Sequence, residues 1–310
     1  MSLDFRRYAP RLVAASVFAL AVSRANSAEV LLRRKFREGE QVEQRVSMKN
    51  ASSTVHLGQE FRAEQTFEID GLLSVRKVHP DGSADVEYAF ERIRARMHRP
   101  LEPEQEYDSK EGKKLSGPLS GTANEIFDAL LSGKIAYRVT PLGRLEDLKL
   151  PPKIAEAVRG TRPGDPAPGF FSEQSLEQVL DSLPSLPEEP VSEGKTWTKE
   201  TEVAVPIGRL RITSTYRYEG RERKDGRDLE RIGIRNEATF RPGERESGVE
   251  VRLRSFRSSG RALFDAEAGR FEEIHVEQKA ETEIALPGTQ RATSVGETAM
   301  TVRIAERPQK

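Results

Sequence analysis

Apolar residues recur at every second position through most of this chain. Phe61, Ala63, Phe67, Ile69, Leu73 and Val75 share odd positions, and Val86, Tyr88 and Phe90 share even ones. The phase then flips to Ile93, Ala95 and Met97, which predicts a β-bulge near Glu91-Arg92. Ile135, Tyr137 and Val139 form a short alternating run. In the second half the runs are Leu210–Tyr218, Ile232–Phe240, Val249–Leu253, Ile274–Leu286 and Met300–Ile304. The positions between are mostly Arg, Glu, Lys and Thr. Strands with one dry and one wet face belong to antiparallel sheets. Pro80-Asp81-Gly82, Lys224-Asp225-Gly226, Pro242-Gly243 and Ala268-Gly269 stand between runs and supply turn chemistry.

Helical patterns are few. Ala123 to Leu131 puts Ile126, Phe127, Leu130 and Leu131 on one face, with Gly133 as a stop. Ser172 to Leu183 does the same with Leu176, Val179, Leu180 and Leu183 before Pro184, and Pro151 to Val158 reads as a third short helix. The predicted fold is therefore mainly β: curved antiparallel sheets in two similar halves, with a few short amphipathic helices between and over them. Proline-rich stretches at 162–169 and 184–190 mark the boundary. The division is 29–160 for the first β-rich half, 161–190 for a linker with a short helix, and 191–310 for the second half.

Residues 1–28 read as a signal peptide. Arg6, Arg7 and Arg11 precede the apolar run Leu12 to Val22, and small residues Ala25, Ser27 and Ala28 follow. The run is shorter than the roughly 20 residues that span a bilayer. No later segment reads as a membrane span, so the expected location is the periplasm or the extracellular space.

A three-part pattern occurs twice in the same order. Glu38-Gly39, Asp81-Gly82 and Gly143-Arg144-Leu145 recur as Glu193-Gly194, Asp225-Gly226 and Gly269-Arg270-Phe271. The first half holds more residues between the matched points. The surplus falls on Arg99 to Thr122, rich in Pro, Glu, Lys, Ser and Gly, which reads as an exposed loop.

Composition narrows the function classes. Charged residues make up 32% and aromatics 6%, so apolar side chains suffice for one buried face per strand. Fifty basic and fifty acidic residues give a net charge of zero. Nucleic-acid binding calls for a basic face, and this interspersed balance does not supply one. There is no cysteine, which removes disulfides, thiolate metal sites and cysteine nucleophiles.

Catalytic signatures are missing from the sequence. It has no phosphate-binding loop, no Gly-x-Ser-x-Gly and no His-Glu-x-x-His. The four histidines, His56, His79, His98 and His275, lie far apart in the chain. His79 and His98 read as exposed turn or edge residues, and His275 points away from the apolar face of Ile274 and Val276. The carboxylate pairs Glu188-Glu189 and Glu272-Glu273 sit at adjacent positions, which on a regular strand point to opposite faces. Catalytic, cofactor-binding and metal-ligating residues are therefore assigned to none, and no cofactor is expected. Trp197, the single tryptophan, opens a strand after Glu193-Gly194-Lys195-Thr196 and reads as a core plug, with a stacking platform as its rival role.

The layout resembles a family of uncharacterised exported bacterial proteins classed as a domain of unknown function. The residues that carry the resemblance are Phe36-Arg37-Glu38-Gly39-Glu40, Val78 to Ala84, Tyr137 to Leu145, Leu186-Pro187, Pro190 to Trp197 and Phe264 to Arg270. It implies the architecture and export, and brings no activity. Three readings follow. One is a non-enzymatic binding or interaction protein of the bacterial envelope with an unknown protein partner. The second is a periplasmic carrier of a lipid or other apolar small molecule, with helices 123–131 and 172–183 as lids. The third is a hydrolase with an unrecognised site. The sequence leaves partner and oligomeric state open.

Overall fold

The computed structural model describes residues 29–100, 102–116, 120–159, 176, 180, 183–205, 208–243, 250–285 and 291–307. The signal segment 1–28 lies outside the described residues, as does most of the predicted helix at 172–183. Twelve strands are described: β1 Gln41–His56, β2 Gln59–Val78, β3 Ala84–His98, β4 Gln105–Asp108, β5 Lys134–Val139, β6 Leu145–Lys149, β7 Thr196–Val205, β8 Gly208–Lys224, β9 Arg227–Pro242, β10 Glu250–Asp265, β11 Arg270–Ala285 and β12 Arg291–Glu306. The helices are α1 Ser120–Ser132 and α2 Pro152–Arg159.

All strands join one curved, open antiparallel sheet in the order β6-β5-β3-β2-β1-β12-β11-β10-β9-β8-β7, with β4 beside β3. The two halves meet where β1 pairs with β12, in unbroken register from Val42↔Glu306 to His56↔Ala292. The predicted bulge is present. Phe90 faces Gly71 and Arg92 faces Asp70, so Glu91 is the extra residue.

Each half keeps its own core at the same end of the strands. In the first, Val86, Tyr88 and Ile93 of β3 and Ile135 of β5 pack under Ala123, Ile126, Phe127 and Leu130 of α1 and Ile154 of α2. Burying each of the larger side chains stabilises the fold by about 1.5–3 kcal/mol. In the second, Tyr216, Tyr218, Ile232, Ile234, Phe264, Phe271, Ile274 and Val302 surround Leu32, Leu186 and Val191. The helix expected over 123–131 is thus no lid. It packs on α2 and β3, inside the first core.

A strap of residues 30–36 crosses between the cores. Val30 and Val191 exchange backbone hydrogen bonds of 2.9 Å, Arg34 N–H donates to Pro141 O at 2.7 Å, and Lys35 N–H donates to Gly269 O at 3.0 Å. Leu32 enters the second core and Phe36 packs on the first. Leu186 N–H donates to Leu142 O at 3.1 Å, so the residues before β7 join the turn between β5 and β6.

The segments matched in sequence make matching bonds. Gly39 N–H donates to Val75 O and Val75 N–H to Glu40 O; Gly194 N–H donates to Tyr218 O and Tyr218 N–H to Lys195 O. Gly39 and Gly194 have φ of 79° and 89°, a left-handed conformation that disfavours any side chain with a Cβ.

Two expectations are corrected. The 99–122 stretch is no simple exposed loop. It contributes β4, and Tyr107, Asp108 and Leu115 are buried. Its polar composition hid this, because the burial depends on pairing with β3 and packing under α1. Pro242-Gly243 is no tight hairpin turn either, since β9 runs to Pro242 and β10 starts only at Glu250. The strands β9 and β10 pair from Glu230↔Phe264 to Asn236↔Ser258 and then part, leaving a fork. Pro242 has no N–H to add to a ladder, and Arg254 forms a bulge in the facing strand.

Candidate binding face

One face of the sheet carries the apolar positions of most strands, although β1 continues beyond Met48 with Asn50, Ser52, Thr54 and His56, and the two cores cover only part of it. Phe67, Met48, Met300, Val276, Gly260, Ile234 and Tyr216 are successive register partners across β2, β1, β12, β11, β10, β9 and β8. This row ends the cores. Two residues further along each strand comes a row of uncharged polar side chains: Gln65, Asn50, Thr298, Gln278, Ser258, Asn236 and Ser214. Lys199 of the edge strand β7 continues it. Beyond the row apolar residues resume with Ala63, Ala280 and Phe256, then Phe61, Leu253, Phe240 and Leu210. None of these belongs to either core.

Among the described elements, α1 packs on β3 and α2, and the other strong contacts join hydrogen-bonded neighbours. No helix among the described residues therefore lies across the outer apolar zone, although Val251 and Ala292 at its far end are buried. Phe61 is 36% exposed, and a Cβ built on Gly296 would meet nothing within 4 Å. The row itself is half-buried. Asn236 Nδ2 donates to Ser258 Oγ at 2.9 Å at the fork between β9 and β10, and Asn236 Oδ1 is buried without a partner. A depression of about 1050 Å³ near this point belongs mainly to the charged face, where Lys49, Arg235, Glu237, Arg257, Lys279 and Glu297 line it, and Asn236, Phe256 and Ser258 only border it.

The opposite face carries ion pairs. Arg45 lies 2.7 Å from Asp70, Lys279 2.7 Å from Glu297, and Arg307 2.6 Å from Glu91. Exposed pairs of this kind contribute little individually, and here they give the sheet a wet side. Three carboxylates are more deeply set. Asp108, held by Arg92 and by the backbone N–H groups of Lys110 and Glu111, has its pKa lowered to about 2. Glu230 accepts from Tyr218 Oη at 2.6 Å and Arg221 Nε at 3.0 Å, and burial with that carboxylate raises the tyrosine. Glu40 accepts from Arg270 at 3.1 Å. All three are saturated by their partners.

Glu272 and Glu273 do fall on one side, contrary to the regular-strand expectation. Leu263 faces Glu273 while Phe264 faces Phe271, so Glu272 is the bulged residue. Both line a 690 Å³ depression on the charged face, where Arg227 holds Glu272 and Lys224 and Arg303 hold Glu273.

The histidines stay apart. His79 is less exposed than expected, with Nε2 2.9 Å from Asp85, while His98 is exposed at the end of β3. His275 points to the polar side, bonding Thr301 at 3.0 Å. His56 lies at the far end of the apolar face. Among the described residues no group of three His, Asp or Glu side chains is placed to hold a metal. Trp197 is half-buried at the edge of the second core, stacked on Tyr216 at 5.7 Å with Nε1 donating to Ser185 O at 2.8 Å. Sequence reasoning missed the polar row altogether. Its members sit in alternating runs on strands far apart in the chain, and only the register aligns them.

No protein-family model matches the chain, and no curated protein matches it. Among solved structures it is similar to lipovitellin, described for its lipid–protein interactions, at 11% identity and a TM-score of 0.49, over 89% of this chain and 26% of that one. The chain thus spans about a quarter of that protein's length. DynF from the dynemicin pathway of Micromonospora chersina follows at 8% identity and a TM-score of 0.20, over 92% and 88% of the two chains. An outer membrane channel of Pseudomonas putida F1 stands at 7% and 0.19, over 88% and 97%. With scores below 0.5, these likenesses carry no functional argument. No helix among the described residues is long and apolar enough to cross a membrane.

Proposed function

We propose that this chain is an exported, non-enzymatic binding protein whose outer apolar zone holds a lipid or other apolar molecule. The observation that carries the reading is the resumption of apolar side chains beyond the polar row, outside both cores and next to open space at Gly296. An apolar zone of this kind on an otherwise charged sheet marks a binding surface. Its neutral lining suits hydrocarbon, since an unpaired charge moved there loses its hydration without compensation. Export rests on the n-region, apolar run and small residues of 1–28.

Native mass spectrometry of the protein purified from its own envelope fraction without detergent tests the reading. Expected is an excess mass that disappears on organic extraction, and that is lost in Phe61→Ser and Phe256→Ser variants. A bare mass, with the apolar zone covered instead by a protein partner or a second copy, would overturn it.

A further inference from the structure

We infer that the bound molecule presents an uncharged hydrogen-bond donor, a hydroxyl or an amide N–H, to the polar row at the fork between β9 and β10. This rests on the lipid-binding reading above and names the chemical class of the ligand. The polar row is no mere boundary between core and solvent, because apolar side chains resume beyond it at Phe256 and its neighbours. On β8 to β10, around the fork, it is a band of neutral hydrogen-bonding groups with apolar residues on both sides, while on β1 and β12 polar positions continue as Ser52, Thr54 and Ser294.

Asn236 marks where the donor goes. One of its two Nδ2 N–H donors goes to the buried Ser258 at 2.9 Å, while its Oδ1 is buried and accepts from no described group. An unmet buried acceptor costs about 1–3 kcal/mol, and this one stands where the two strands cease to pair. A carboxylate or phosphate offers no donor there. On the apolar side of seven adjacent strands the row contains no charge to balance one, and Lys199 stands only at its edge. A ligand with a hydroxyl or amide satisfies Asn236 Oδ1 and leaves its hydrocarbon on the apolar zone. Monoacylglycerols, fatty alcohols and fatty amides all meet this description.

Equilibrium binding to the full chain separates the possibilities, using radiolabelled 1-monooleoylglycerol, methyl oleate and sodium oleate as probes. These share one hydrocarbon and differ in the head: donor, acceptor only, and charge. Monooleoylglycerol is expected to bind at least about tenfold more tightly than the other two. In Asn236→Leu that preference should fall below threefold while methyl oleate binding is retained. Retained methyl oleate binding together with an unchanged far-ultraviolet circular dichroism spectrum guards against loss of structure in that variant. Equal binding of all three probes, or a preference for oleate, would overturn the donor assignment and leave the lipid-binding reading standing. Binding of none would overturn both.

Discussion

Arg92 of β3 reaches Asp108 of β4, the register partner of Arg94, with Nη2 2.5 Å from Oδ2 and Nε 3.1 Å from Oδ1. The two parallel bonds anchor the 99–116 excursion to the sheet, and the Asp108 side chain is 4% exposed. Removing one partner leaves the other charge without compensation. Asp108→Ala is expected to destabilise the chain by about 1–3 kcal/mol in urea titration. A variant within experimental error of the parent would show that the pair contributes nothing.

The same pair sets a pH dependence. The pKa of Asp108 is lowered in the fold to about 2, first by the hydrogen bond from Arg92. A depressed carboxylate stabilises the fold fully above its unfolded pKa, near 3.9, and loses that contribution as pH falls through the folded value. Stability should therefore drop between about pH 4 and pH 2, and Asp108→Asn should flatten that part of the profile. An identical acid limb in both proteins would refute the assignment.

Two glycines on the apolar face should respond oppositely to alanine. At Gly260 a Cβ would come within 2.3 Å of His275 O and 2.9 Å of Val276 Cα, both backbone atoms that cannot step aside. At Gly296 it would meet nothing within 4 Å. Gly260→Ala is expected to cost about 1–3 kcal/mol or more, and Gly296→Ala to fall within about 0.5 kcal/mol of the parent. Equal effects would mean that the face is covered at Gly296.

Core and binding zone should also separate. Ile232 is fully buried in the second core, so Ile232→Ala should cost about 2–5 kcal/mol. Phe61, 36% exposed and in neither core, should cost well under that when changed to Ser. A Phe61→Ser variant as unstable as Ile232→Ala would place Phe61 in a packed core.

Trp197 reports on the seam at the β7 edge. Trp197→Phe keeps the ring on Tyr216 but deletes the bond to Ser185 O, which should cost about 1 kcal/mol. As the single tryptophan, its fluorescence in the parent should change together with far-ultraviolet circular dichroism on unfolding. A separate, earlier fluorescence transition would show that the seam opens before the sheet.

Local chemistry made much of this fold readable from sequence. The period-two runs give most strands, the phase flip between Phe90 and Ile93 gives the bulge at Glu91, and Ile126, Phe127 and Leu130 give the buried side of α1. These features depend on neighbours within a few residues, so the chain states them directly. β1 was harder to read, because its apolar-face positions beyond Met48 are Asn50, Ser52, Thr54 and His56. β4 was hidden by a polar segment whose Tyr107 is buried only by α1 and β3. Register across distant strands was beyond sequence. The pairing of Asn50 with Thr298, the joining of both halves into one sheet, the same-side placement of Glu272 and Glu273, and the unmet Asn236 Oδ1 at the fork all follow from contacts between residues far apart in the chain. Alternation determined which face of each strand is dry; only the tertiary pairing decided that seven neutral side chains line up across it, because that alignment is a property of neighbouring strands and of no single one.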